Sequence, residues 1–221
     1  MAITDRLSAL TPEQRALFEK LREQKKKAPA PRAPQPPPIE RRHLSGKNSG
    51  DVWPLSFDQE RLWFLYTLNP QDTSYNIDTA SQIRGPLDFA ALEQAFQEIP
   101  KRHEIWRTAF PAVDGRPVQV VLPEMRLPSG IVDLRALPRE LREPAAHQLM
   151  TEVTLIPFVM ETGPLAKALL LRIEDENCIV QLVVHHIVTD WVTFQLFWGE
   201  IGALYEAFVA GRPSPLPPPV V

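Results

Sequence analysis

The sequence predicts an α/β domain with a mixed or antiparallel sheet and packed helices, preceded by a short helix and a proline-rich linker. Three observations predict it. Two apolar runs, Ala168 to Ile173 and the β-branched Cys178 to Val184, flank Glu174-Asp175-Glu176-Asn177 and read as a hairpin in the middle of a sheet. Phe194, Phe197, Ile201, Leu204, Tyr205 and Phe208 recur at helical spacing, with Gly211 as a stop before Pro213. The prolines crowd into residues 29–38 and 213–219, where neither a helix nor a central strand can form.

Residues 1–27 form the first expected segment. Thr11 suits an N-cap, Pro12 the first helical position and Gln14 a capping box, with Leu17, Phe18 and Leu21 as a narrow apolar stripe before Lys25-Lys26-Lys27. A helix this short is marginal alone in water, so it reads either as an exposed lead-in or as a docking element. Residues 28–52 read as an extended linker, 53–211 as the folded domain and 212–221 as the start of a second linker.

Within the domain, Phe57 to Leu68 has helical spacing, with Leu62, Leu65 and Leu68 expected on one side and Arg61 beside them. An extended segment then ends at Gly85-Pro86. Asp88 is placed to cap a helix with the stripe Leu92, Phe96 and Ile99, and Leu87 to staple it against Leu92. The Asp114-Gly115 turn predicts a hairpin between Trp106 to Phe110 and Val118 to Leu122. His147 falls on a helix surface, and Leu155 to Pro164 is irregular.

Hydrophobic residues make up 44% of the 221 and the net charge is -3, which gives no basic footprint for nucleic acid or anionic lipid. No apolar stretch approaches the roughly 20 residues of a membrane span, and the N-terminus lacks a signal peptide's apolar region. A cytoplasmic protein is expected. The lone Cys178 lies in a predicted buried strand, where a thiol serves as a small core residue.

The densest chemical information lies in His185-His186-Ile187-Val188-Thr189-Asp190-Trp191, at a strand-to-helix junction. Strand side chains alternate between faces, so only one histidine is expected to face a cleft while the other points inward. One functional and one structural imidazole fits better than a metal pair, because strand neighbours diverge and no Cys or carboxylate is spaced to complete a coordination shell. No metal is expected. Asp190 also stands where a helix starting near Trp191 needs its N-cap.

Three segments together carry a resemblance. They are Leu55-Ser56-Phe57-Asp58-Gln59-Glu60-Arg61-Leu62-Trp63-Phe64-Leu65, Arg102-His103-Glu104-Ile105-Trp106-Arg107-Thr108-Ala109-Phe110, and the His185 heptad. In order and spacing they resemble the first three core motifs of nonribosomal peptide synthetase condensation domains. Tyr75-Asn76-Ile77 and Ala203-Leu204-Tyr205-Glu206-Ala207-Phe208 fit the same family. The wording of the first motif looks most like domains that join two L-configured aminoacyl units. The resemblance implies one lobe of a chloramphenicol acetyltransferase-like fold, a pseudo-dimer of two α/β lobes with the active site between them.

The implied reaction is amide formation between units held on the phosphopantetheine arms of peptidyl carrier proteins, with no cofactor bound by the domain itself. By the same resemblance His186 is the tunnel-facing catalytic residue, His185 is structural, and Asp190 pairs with Arg61 to hold the histidine loop. An imidazole titrating near neutrality can accept a proton from the attacking amine, or hydrogen-bond the amine and the tetrahedral intermediate. His103 and Arg107 read as packing residues rather than chemistry.

Two features depart from the family pattern. Trp191 stands where the motif has glycine, and its indole is expected either to obstruct the tunnel or to fold back onto Phe194 or Gln195. The chain is also about half a condensation domain in length, so the tunnel is expected to have one wall and catalysis to need a C-terminal lobe, supplied by an adjacent domain or a separate chain. Two other readings stay open: a coenzyme A-dependent acyltransferase of the same fold, and a noncatalytic interaction module of a synthetase.

Overall fold

A computed structural model describes residues 52–219. The expected segments 1–27 and 28–52 lie outside the described residues, apart from Val52. The order of elements is β1 (Val52–Pro54), α1 (Phe57–Leu68), β2 (Asn76–Arg84), α2 (Phe89–Arg102), a 3-10 turn (Glu104–Arg107), β3 (Thr108–Ala109), β4 (Ala112–Val113), β5 (Arg116–Val121), β6 (Ser129–Asp133), α3 (Arg139–Thr154), β7 (Ala166–Glu174), β8 (Asn177–His185), a second 3-10 turn (His186–Val188) and α4 (Trp191–Val209).

The main sheet runs β2-β8-β7-β6. Its centre is the hairpin expected from residues 168–184, with Leu170 opposite Val180 and Ala168 opposite Leu182, both pairs buried. The apolar runs of β7 and β8 have helices over both faces, which is why neither strand alternates with polar residues. β2 adds antiparallel to β8 and β6 adds parallel to β7, so the sheet is mixed. A smaller sheet joins β1, β3 and β4 to β5.

The larger core packs α2 and α4 against the main sheet around Phe96, Ile99, Trp106, Phe197 and Leu204. Phe96 and Phe197 stack with ring centres 6.0 Å apart, and Trp106 lies 5.1 Å from Phe197. The opposite face of the sheet buries Leu169, Leu171 and Ile173 against α3. Cys178 is buried in β8, as expected.

The caps follow the sequence. Asp88 accepts from the amides of Ala90 and Ala91, and the helix it starts buries Leu92, Phe96 and Ile99. Asp114 and Gly115 take φ of 52° and 75°, the left-handed pair of a tight hairpin turn joining β4 to β5. Trp106, however, belongs to the first 3-10 turn, so only Thr108 and Ala109 of the expected strand pair with β5.

Two expectations need correction. In α1 the buried side centres on Leu62, with Trp63 and Tyr66 packed beside it, while Leu68 is exposed. The helix is apolar on two sides, and the stripe at 57, 61, 64 and 68 faces outward. The proline-rich residues 213–219 are not a free tail either: Leu216 packs on the larger core, and Arg102 of α2 donates to the carbonyls of Leu216 and Pro217 at 3.3 and 2.9 Å. Extended backbone leaves carbonyls unpaired, and a guanidinium with five donors can gather several of them.

Candidate active site

β8 carries the chain to His185 and then stops. Its Cα partner across the sheet is Asn76 at the start of β2, and the amide of His186 donates to the Tyr75 carbonyl at 2.9 Å. From there residues His186–Val188 form a 3-10 turn whose Ile187 and Val188 are buried. The two histidines thus part at the end of a strand. Strand alternation does not explain it, because β8 is buried on both faces from Val180 onward. His186 is exposed because the chain leaves the sheet there.

His185 is 5% exposed and lies between Tyr75 and Phe158, at ring-centre distances of 6.4 and 6.3 Å. Its Nδ1 accepts the amide of Ile187 at 3.1 Å, so the neutral ring closes the turn that follows it. Burial, with a smaller effect from the neighbouring His186, pushes its pKa down to about 4. His185 is therefore a buried neutral imidazole that closes the turn after β8.

His186 has the opposite character. Its Nδ1 lies 2.7 Å from the carbonyl oxygen of Thr189, an atom that can only accept, so Nδ1 carries the proton. That assigns the lone pair of the neutral ring to Nε2, on an exposed side chain. A ring held by one nitrogen and open at the other can accept a proton or a hydrogen bond.

Asp190 caps α4. One carboxylate oxygen accepts the amide of Thr193 at 2.8 Å and its hydroxyl at 2.7 Å, and the Thr193 hydroxyl accepts the Asp190 amide, which completes a capping box. The bond from the Thr193 amide is the main reason the Asp190 pKa is lowered. The expected ion pair with Arg61 is not formed among the described residues. Arg61 is exposed on the outer face of α1, where a lone pair of surface charges gains little, and the Asp190 carboxylate is already engaged by the helix end.

Trp191 is the first residue of α4 and keeps 75% of its surface exposed, so the indole is not folded back into cover against Phe194 or Gln195. The polar side chains of the second motif bind within the fold. His103 Nε2 is 2.7 Å from Glu200, Arg102 binds both oxygens of the same carboxylate, and Arg107 donates to the Leu122 carbonyl and pairs with Glu104. Burial pushes Glu200 up, but its bonds to Arg102 and His103 outweigh that and leave its pKa lowered.

The family profile described as Condensation domain matches residues 49–220, more than three quarters of the chain. The chain belongs to the condensation domain family. A linear gramicidin synthase of Brevibacillus parabrevis is 42% identical over 156 residues, covering 71% of this chain and 3% of that protein. Phosphinothricin tripeptide synthetase PhsC of Streptomyces viridochromogenes is 38% identical over 214 residues, covering 96% of this chain and 19% of that protein. This condensation domain chain therefore spans a small fraction of the synthetases it matches.

Solved condensation domains share the fold. The first condensation domain of the calcium-dependent antibiotic synthetase superposes with a TM-score of 0.70 at 25% identity, over 76% of this chain and 41% of that one. The starter condensation domain of rhizomide synthetase RzmA gives the same TM-score at 23% identity, over 76% and 40%. The architecture is one consistent with a chloramphenicol acetyltransferase-like lobe.

The structure also draws in residues that the sequence reading did not single out. Thr189 supplies the carbonyl that orients His186 and is itself buried, and Tyr75 supplies the carbonyl that receives the His186 amide. Both contacts run through the backbone, so no side-chain pattern marks them. Gln59 of the first motif reaches the second 3-10 turn, donating from Nε2 to the Ile187 carbonyl at 3.4 Å. Among the described residues no helix is long and apolar enough to cross a membrane, and no cluster of His, Cys, Asp or Glu could hold a metal ion.

Proposed function

We propose that this chain is the N-terminal lobe of an amide-forming condensation domain and that His186 is its catalytic residue. One observation carries the reading: within a family motif, Nδ1 of His186, an exposed residue, is held by the Thr189 carbonyl, while Nε2 has no hydrogen-bond partner among the described residues. In this reading the amine of an acceptor aminoacyl unit attacks the carbonyl carbon of a donor thioester. The carbon–nitrogen bond forms, the carbon–sulfur bond breaks, and the proton lost by the amine ends on the departing thiolate. Nε2 of His186 serves either as the group that takes the proton in passing or as the acceptor that orients the amine.

Both units would be carried by the phosphopantetheine arms of peptidyl carrier proteins, with no cofactor of the domain's own, and the work would take place in the cytoplasm. The reaction also requires a C-terminal lobe, from an adjacent synthetase domain or a separate chain, because a single wall gives little to hold two reactants in line. The outer face of α1 supports this. Phe57, Phe64 and Leu68 are exposed along one stripe of the helix, with Arg61 among them. A helix apolar on both sides is suited to packing on both sides.

The reading is tested by incubating the chain with loaded donor and acceptor carrier proteins, with and without a supplied C-terminal lobe, and detecting the condensed product by mass spectrometry. Product only with the lobe is the expected result, and no product in either case would point to a noncatalytic interaction module. The exposure of Trp191 in the glycine position supports that second reading, in which the indole would obstruct the tunnel. A higher rate in Trp191→Gly, within a two-lobe domain, is expected from obstruction; an unchanged rate would argue against a blocking role.

A further inference from the structure

We infer that Gln59 is a positioning residue for His186, acting through the carbonyl of Ile187. The inference rests on the proposed function only in giving His186 its task. Gln59 is the third residue of α1, and its side chain does two separate things with two different atoms. Oε1 accepts the Ser56 amide at 2.9 Å while the Ser56 hydroxyl accepts the Gln59 amide at 3.3 Å, a capping box that starts the helix. Nε2 faces the other way and donates to the Ile187 carbonyl at 3.4 Å and to Gln119 Oε1 at 3.3 Å.

Ile187 is buried in the middle of the 3-10 turn that begins at His186. Around that carbonyl the turn is anchored at four further points: the His186 amide goes to Tyr75, the Ile187 amide to His185 Nδ1, the Thr189 amide to the His186 carbonyl, and the Thr189 carbonyl to His186 Nδ1. The donor that reaches the Ile187 carbonyl is Gln59 Nε2. A part-buried carbonyl that loses its donor is costly to keep in place, so the turn would move to find another. Any such rotation of the peptide after Ile187 also shifts Thr189, whose carbonyl fixes the His186 ring.

Gln119 holds the arrangement from behind. Its Nε2 donates to the Pro54 carbonyl at 2.9 Å, which leaves its Oε1 as the acceptor for Gln59 and so commits the Gln59 amide to its donating orientation. Two amides in series thus join β1 and β5 to the histidine turn. Glutamine is required where one atom must accept at the cap and the other must donate at the turn. Glutamate would satisfy the cap and fail at the turn.

The test separates these two duties on the chain itself, without an activity assay. In the chain labelled with 15N-histidine, long-range proton–nitrogen correlation spectra report which ring nitrogen of His186 bears the proton. In Gln59→Glu and Gln59→Met the Nε2–H form of His186 is expected to rise several-fold, as the loss of one hydrogen bond on the turn allows. Ser56→Ala, which weakens the cap and spares the donor, is expected to leave the His186 spectrum unchanged. Unchanged His186 signals in both Gln59 variants, or an equal change in Ser56→Ala, would overturn the inference. Gln59→Glu keeps the helix start, so it remains informative if Gln59→Met does not fold. Failure here would leave the proposed function standing, since condensation is read out separately.

Discussion

Nδ1 of His186 and the carbonyl oxygen of Thr189 stand 2.7 Å apart, and that one bond sets both the direction of the ring and the nitrogen left open. A carbonyl cannot donate, so the neutral ring is committed to a single tautomer. Nitrogen NMR of the histidine-labelled chain, recorded above the titration of the ring, should show His186 with its proton on Nδ1. His185 should show the reverse, since its Nδ1 accepts the Ile187 amide and its proton must sit on Nε2.

The buried histidine also shapes the response to pH. His185 titrates near 6.5 in the unfolded chain and near 4 in the fold. Above 6.5 both states are neutral and stability is complete. As pH falls from 6.5 towards 4 the unfolded chain takes up a proton that the folded one refuses, so stability is lost across that window, by about 3 kcal/mol. As pH falls further, through the ordinary carboxylate range, the lowered pKa of Asp190 adds a further loss. Urea denaturation at a series of pH values should show this fall, and a flat profile between 7 and 4 would contradict the buried neutral assignment.

Asp190 stabilises through the end of α4 and not through Arg61. Asp190→Ala should cost about 1 kcal/mol, the usual value of a lost N-cap. Arg61→Ala should lie within about 0.5 kcal/mol of the parent, as surface changes do. Denaturation of the two single variants and the double variant closes a cycle, whose coupling should be near zero because the side chains share no bond in this chain.

Glu200 joins α4 to α2 and, through Arg102, to the proline-rich segment. The Arg102 and Glu200 side chains are only 10% and 18% exposed. Removing one partner leaves the other charge buried, so Glu200→Ala should cost about 3 kcal/mol. The urea midpoint should fall with little change in slope. Arg102 would then lose the carboxylate that aims it at the Leu216 and Pro217 carbonyls.

Much of the fold was legible because local signals agreed with long-range ones. The β7–β8 hairpin combined two apolar runs with an acidic turn, and α4 combined an Asp190 cap, an apolar stripe from Phe194 to Phe208 and Gly211, which takes φ of 64° after the helix. Elements defined only by their neighbours were less so. β6 is a short edge strand with Gly130 inside it and Ile131 exposed, so its sequence lacks alternation, and α3 carries Pro144 within its helical run. The outward stripe on α1 looks like a core face, and the proline-rich segment looks like a tether until Arg102, more than a hundred residues away in sequence, is seen against it.

The site divides in the same way. The heptad could be read from residue types, whereas the exposure of His186 follows from the chain leaving the sheet, and its anchoring runs through the carbonyls of Tyr75 and Thr189, atoms every residue has. The expected Arg61–Asp190 pair was carried by resemblance, and here the helix cap takes its place.

The most direct measurement compares the parent chain with His186→Ala, each supplied with a C-terminal lobe and loaded carrier proteins. Because His186 is exposed, the variant should keep the parent's unfolding midpoint while amide formation falls by about 10²–10⁴-fold, the range for loss of a positioned acid–base group. A variant that folds and condenses at the parent's rate would contradict the assignment of His186 as the catalytic residue.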